Sequence, residues 1–330
     1  MLMRGARSMT SLLLLLALGV LVAPAATEAQ RAGQVHRIGV LVGGLDAGPW
    51  FPHFRAGLRE LGYAEGHDLL IEYRFSEGKA DRLPQLAADL VRLKVDVIVA
   101  VFATPARAAH QATRSVPIVG IGLGDPVGIG LAASLARPGG NVTGTASNLP
   151  ELGGKALELL KEMIPNLKRV AVLWNPSNPA HAPFLKDVEP AARSLAIQLQ
   201  PLPALNPEDL EGALRSAARD AAAVWVLGDA MFVGHRARIA ALATAAGLPT
   251  LSPGPPIVEA GGLISHGPHL PTMFHRAAAY VDKILKGARP GDLPIEQPTK
   301  FDIVINLKTA KALGLAIPQS VLLQATHIIE

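Results

Sequence analysis

From Arg37 onward the chain alternates short apolar runs with amphipathic helical patterns, and this rhythm constrains the fold more than any other feature. The expected strands are Arg37 to Val42, Leu69 to Phe75, Val95 to Val101, Pro117 to Ile121, Arg169 to Trp174, Gln198 to Leu202, Ala223 to Leu227 and Phe301 to Asn306. Helical spacing fills the gaps. Phe51 to Leu61 is one such stretch, and in Thr272 to Lys286 the residues Met273, Ala277, Tyr280 and Ile284 recur along one face. Strands apolar on both faces and joined by helices predict an α/β fold with parallel sheets covered on both sides.

That rhythm breaks three times, at Arg137 to Pro150, Ser252 to Gly262 and Gly287 to Pro298, each rich in proline and glycine. Three breaks in a chain of this length predict two lobes with three passages between them. In front of the rhythm stands a different segment. Arg4 and Arg7 precede an apolar stretch from Leu12 to Val22, and the small residues of Ala23 to Ala29 follow it. This is the pattern of a cleavable export signal, with cleavage expected after Ala29 and Ala25 as a second choice. A helix over Leu12 to Val22 falls short of the ~20 residues that a bilayer needs.

The chain contains no cysteine, which excludes disulfides, thiolate metal sites and lipid attachment through a thiol. Its formal net charge of +4 becomes +3 once Arg4, Arg7 and Glu28 leave with the leader, and the basic residues are scattered. No nucleic-acid footprint results. An exported α/β protein also lacks a ready supply of NAD or ATP, so no cofactor is expected.

In an open parallel sheet, ligands sit at the carboxyl ends of the strands, so the residues just after each strand are the candidates. Gly43 follows the first. Thr104, Pro105 and Ala106 follow the third, with Thr104 read as a helix N-cap and Pro105 as the first helical residue. That geometry is either an ordinary cap or a carboxylate site of backbone N–H groups and one hydroxyl. Asp125 follows the fourth strand and would take a ligand ammonium or cap the next helix. Asn175 and Asp229 occupy the matching rim of the second half. Catalytic signatures are missing: there is no G-x-S-x-G elbow and no H-E-x-x-H. Gly128, Gly130 and Ala133 imitate a dinucleotide fingerprint but read as a glycine-rich helix start. His266 and His269 lack an obvious third ligand, so no metal is expected.

Read in order, several segments resemble the exported solute-binding proteins of ABC transporters of the tryptophan/tyrosine type. They are FRAGLRELGYAEG (54–66), IEYRFSEGKADRLPQLAADLV (71–91), GDPVGIGLAASLARPGGNVTG (124–144), VAVLWNP (170–176), VEAGGLISHGP (258–268), YVDKILKG (280–287) and EQPTKFDIVINLKTAKALGL (296–315). The resemblance implies a periplasmic-binding-protein type I fold: two Rossmann-like lobes with parallel sheets, three crossovers and a hinge. It divides the chain into a signal peptide (1–29), a first lobe (30–143 and 258–286) and a second lobe (144–257 and 287–330). It places Thr104, Asp125, Asn175 and Asp229 at the cleft, with Ser265 and His266 near the hinge. His266 stands where the family commonly has tyrosine, and Phe102-Ala103 replaces a smaller pair, so Phe102 would fill space open to a ligand ring. Trp50 and Phe51 would offer a stacking face or pack on the first helix.

The expectation is therefore a monomeric periplasmic receptor, not an enzyme, that takes an amino acid or related carboxylate and passes it to an inner-membrane permease with its ATPase. Thr104 and the N–H groups after it would hold the carboxylate, and Asp125 and Asp229 the ammonium. The alternatives are a receptor feeding a membrane sensor and an exported α/β hydrolase.

Overall fold

The computed structural model describes residues 35–147 and 150–330, so the expected leader at 1–29 lies outside the described residues. Among the described residues no helix is long and apolar enough to cross a membrane.

The first lobe runs through β1 (His36–Val42), α1 (Phe51–Glu60), β2 (Leu69–Phe75), α2 (Leu83–Arg92), β3 (Val97–Val101), α3 (Ala103–Ala112), β4 (Ile118–Ile121) and β5 (Val142–Gly144). Its strands form one parallel sheet in the order β2-β1-β3-β4-β5. Every residue of β3 is buried, and its period-two alternation feeds two separate cores. Val97, Val99 and Val101 join Phe51, Phe54 and Leu58 of α1. Ile98 and Ala100 join Leu83, Ala87 and Leu90 of α2 on the other face.

The second lobe continues with α4 (Pro150–Met163), β6 (Arg169–Trp174), α5 (His181–Ser194), β7 (Gln198–Pro203), α6 (Asp209–Asp220), β8 (Ala223–Val226), α7 (Ala230–Gly234), α8 (Arg236–Ala245), β9 (Thr250–Ser252), α9 (Pro255–Glu259) and β10 (Ile264–Pro268). The chain then sends α10 (Leu270–Leu285) back to the first lobe before adding β11 (Phe301–Asn306), α11 (Leu307–Ala312), α12 (Gln319–Leu322) and β12 (His327–Ile329). The second sheet has the order β12-β11-β10-β9-β8-β6-β7. Val170 and Val172 pack with Leu157 and Leu160 of α4, and Ala171 and Leu173 with Leu210 and Leu214 of α6. Both sheets are thus covered on both faces, as continuous apolar strands require.

Helix α10 belongs to the first lobe by its packing, since Phe274, Ala277 and Ala278 share a core with α1. The approach depends on Gly57: a Cβ there would lie 2.8 Å from the Ala278 Cβ and 2.9 Å from the His275 carbonyl oxygen. Three connections join the lobes, between β5 and α4, between β10 and α10, and between α10 and β11. The first and third run side by side. Ala146 N–H donates to the Glu296 carbonyl (2.9 Å), and Glu296 N–H donates to that of Gly144 (3.0 Å). The Arg276 guanidinium on α10 clamps the Glu296 carboxylate through Nε (2.8 Å) and Nη2 (2.6 Å). That hydrogen bonding holds the Glu296 carboxyl below its ordinary pKa.

Three expectations need correction. The segment from Val258 to Pro268, expected in the first lobe, lies in the second, because β10 pairs in parallel with β9 through Ile264 and Ser265. The chain returns to the first lobe only after Pro268. Moreover, β10 and β11 are antiparallel, with His266 opposite Ile303, because the excursion through α10 brings the chain back from the other end. Thr104 is not an N-cap: α3 begins at Ala103, and Phe102 occupies the cap position with φ +69°.

Candidate functional site

A cavity of about 150 Å³ lies between the lobes at the carboxyl ends of both sheets. From the first lobe it is lined by Trp50, Phe102, Ala103, Gly122, Gly124 and Ser147, and from the second mainly by Phe184, Trp225, Phe232 and His266. The wall is chiefly apolar, with Trp50, Phe102, Phe184, Trp225 and Phe232 as its aromatic side chains, and it carries no Asp, Glu, Lys or Arg among the described residues.

Each aromatic group is held by the fold beneath it. Trp225 is the third residue of β8, and Phe184 on α5 meets it edge-on with centroids 5.4 Å apart at 82°. Trp50 ends the loop after β1 and leans on Phe274 of α10 at 5.9 Å. Phe102 pairs its N–H with the Ile121 carbonyl (2.8 Å) while its backbone takes φ +69° and ψ 175°. For a bulky residue that conformation costs on the order of 1–3 kcal/mol and is found chiefly at functional sites. It turns the ring into the cleft and starts α3 immediately afterwards.

The polar side chains of the wall are Ser147, Asn178, His181, Ser252 and His266. His266 on β10 is only 9% exposed, and its Nδ1 is buried without a hydrogen-bond partner among the described residues. Burial pushes its pKa down, with the Leu152 backbone opposing and Lys155 adding to the fall. Ala103 and Thr104, in the first turn of α3, have no acceptor for their N–H groups among the described residues. Ser147 Oγ accepts from Gly124 N–H (3.2 Å), and Ser252 Oγ donates to the Gly254 carbonyl (3.0 Å).

Several expected site residues form a second group beside this cavity. Gly43, Thr104, Pro105, Asn175 and Asp229 line a space of about 20 Å³, room for about one water, and Phe102 lines both. Thr104 Oγ1 is buried there without a partner among the described residues. Asp229, 5% exposed, is already committed: Oδ1 accepts from Met231 N–H (2.9 Å) and Asn175 Nδ2 (3.4 Å), and Oδ2 accepts from Asn178 Nδ2 (2.9 Å). His181 completes the frame, its Nδ1 accepting from Asn175 N–H (3.0 Å) and its Nε2 donating to the Gly228 carbonyl (3.1 Å). That donor pattern requires a neutral ring, and burial lowers its pKa although the Asp229 charge pulls it up.

The remaining expected residues lie elsewhere. Asp125 lines neither cavity: its Oδ1 accepts from Val127 (3.1 Å) and Gly128 (3.0 Å) N–H, so it caps its own loop. Ala106 is buried in the core below α3. Ser265 is 1% exposed, its Oγ without a partner among the described residues, next to His266 but outside the lining. Phe51 packs on Phe54 at 5.1 Å and takes no part in the wall. Reading the sequence missed Phe184, Trp225, Phe232, Ser147, Asn178 and His181. Asn178 and His181 follow β6 in the same loop as Asn175 and were within reach of the strand-end rule; Trp225 looked like any strand residue.

The lobes touch across the cleft. Arg107 Nη2 on α3 donates to the Ser177 carbonyl (2.9 Å), and a Cβ on Gly43 would meet the Ala230 Cβ at 3.1 Å.

The family model described as "ABC transporter substrate binding protein" matches residues 52–329. A tyrosine-binding protein of Clostridioides difficile is 26% identical over 262 residues, 79% of this chain and 75% of that one. A conserved domain protein from Vibrio cholerae superposes with a TM-score of 0.83 at 29% identity, covering 89% of this chain and 100% of that one. An ABC domain from Streptococcus pneumoniae in complex with L-Trp also reaches 0.83, at 26% identity over 89% and 99% of the two chains.

Proposed function

This chain belongs to the family of ABC transporter substrate-binding proteins, and we propose that it is an exported receptor whose lobes close on a small solute and deliver it to an inner-membrane permease with its ATPase. It acts as a periplasmic monomer and performs no covalent chemistry. The observation that carries this reading is the cavity itself, built from both lobes at the carboxyl ends of two parallel sheets. Rotation about the paired connections at Gly144 to Ala146 and Glu296 would open it. The serine hydroxyls of its wall bond to backbone groups and not to a histidine, which suits binding better than acyl transfer.

The relatives that bind tyrosine and L-Trp support a ligand in the class of amino acids and related carboxylates. A thermal-shift screen of the mature protein, stripped of ligand by unfolding and refolding, tests the assignment. A 1 mM solute with a Kd of ~1 µM adds about 4 kcal/mol, a rise of several degrees in Tm. Silence across amino acids and small carboxylates alike would defeat the proposal.

A further inference from the structure

One side chain stands where the spaces of the cleft meet. Phe102 lines the main cavity and the small space that holds Asp229, and it also lines a third space of about 20 Å³ bounded by Leu45, Trp50 and Phe274. Its ring lies over the bare backbone of Gly122, where a Cβ would stand 3.1 Å from Phe102 Cδ1 and 3.3 Å from Cε1. The other aromatic groups of the wall belong to the cores of the lobes: Trp50, Trp225 and Phe232 are buried, and Phe184 is held edge-on against Trp225. Phe102 is half-buried and carries a backbone of φ +69° and ψ 175°, a region that essentially only glycine occupies. Both of its backbone groups are committed, the N–H to the Ile121 carbonyl (2.8 Å) and the carbonyl to Ala106 N–H (3.3 Å), so the conformation is fixed from both sides. Glycine would hold it without steric cost, and such strain gathers at ligand clamps. The ring is therefore kept at this point for what it does in the cleft.

We propose that Phe102 is the specificity-determining residue of the cleft, limiting the ligand to one aromatic ring and excluding two-ring ligands. The inference rests on the receptor reading above and narrows its ligand. An apolar cavity of about 150 Å³ holds one benzene-sized ring. A fused second ring needs further room, and on the side of the first lobe that room is filled by the Phe102 phenyl group. Without it the main cavity would run into both small spaces, since Phe102 is the wall residue common to all three. A phenol side chain satisfies this limit and an indole exceeds it.

Titration calorimetry on ligand-stripped protein tests this with L-phenylalanine and L-tryptophan, which carry the same charged groups and differ in the size of the ring system. The wild-type protein should bind L-phenylalanine at least about tenfold tighter than L-tryptophan. In Phe102→Gly, which suits the left-handed backbone and is checked for folding by its Tm, that ratio should fall at least about tenfold because L-tryptophan gains affinity. Phe102→Ala opens the same space without relaxing the backbone and should move the ratio in the same direction. Equal or tighter binding of L-tryptophan by the wild type overturns the inference, whatever the variants do, and leaves the receptor reading intact. An unchanged ratio in the folded variants also overturns it, because the ring would then be a structural wall only. A shift confined to Phe102→Gly assigns the effect to the backbone and overturns the role of the ring. Binding of neither amino acid by the wild type overturns the inference as well, and the receptor reading falls with it only if the wider thermal-shift screen is silent.

Discussion

Replacing Asp229 separates a structural carboxylate from a ligand counter-ion. In Asp229→Ala, the Met231 N–H loses its cap and Asn178 Nδ2 loses its hydrogen-bond acceptor, both in a site 5% exposed. Loss of the cap costs about 0.5–2 kcal/mol and the orphaned amide about 1–3 kcal/mol, so about 3 kcal/mol in total is expected. For a unit of this size each kcal/mol moves Tm by about 2–4 °C, which predicts a fall of roughly 6–12 °C. Asp229→Asn is the sharper control. Its oxygen can still serve Met231 and Asn175, but its amide then opposes Asn178 Nδ2. Asn178 cannot flip in response, because its Oδ1 already accepts from Ala180 N–H at 3.1 Å. A loss of about 1–3 kcal/mol remains. Thermal unfolding of the ligand-free variants measures both. A Tm within 2 °C of wild type for Asp229→Ala would refute the argument that this carboxylate holds the loops together. So would a variant of normal stability that loses amino-acid binding selectively, since that is the behaviour of a counter-ion.

Two further outcomes follow from the same network and from the connections between lobes. His181 has a folded pKa below its unfolded value, because burial outweighs the Asp229 charge. The unfolded chain therefore gains a proton near pH 6.5 that the folded one refuses, and stability present above that pH is lost on acidification at up to about 1.4 kcal/mol per pH unit. Denaturant unfolding at pH 7.5 and pH 5.5 should show the loss, and His181→Gln should reduce its slope; an unchanged slope would contradict the assignment. Gly144 has φ +130°, and a Cβ there would stand 2.0 Å from the Gly120 carbonyl oxygen. Gly144→Ala should cost on the order of 3–5 kcal/mol, read as poor soluble yield or a much lower Tm, and a wild-type Tm would show that the connection has room to shift.

Much of the fold was legible because its information is local. Leu69–Phe75, Arg169–Trp174 and Phe301–Asn306 begin and end where their apolar runs do. Four strands were not legible. Thr250–Ser252, His327–Ile329 and Val142–Gly144 are three residues long, and Ile264–Pro268 contains Gly267 and Pro268, so each reads as loop until a neighbour pairs with it. The candidate site shows the same limit. Asp125 and Asp229 both follow strands, and nothing nearby in sequence distinguishes a loop cap from a bridge between distant loops. Phe102 was marked as a residue able to fill ligand space, but its left-handed backbone could not be foreseen, since such strain survives only where surrounding structure enforces it.

The sequence by itself determined the α/β alternation, the first and third connecting segments and the strand ends that would carry a ligand, whereas the break at Ser252 to Gly262 lies inside the second lobe. These follow from periodicity, chain stiffness and the hydrogen-bonding needs of helix starts, all of which act over a few residues. Only the tertiary structure decided that His266 belongs to the second sheet, that Trp225 and Phe184 meet beside it, and that Asp229 is occupied by protein donors. Those outcomes depend on which groups a closed packing leaves without a partner, and that is settled by the whole chain at once.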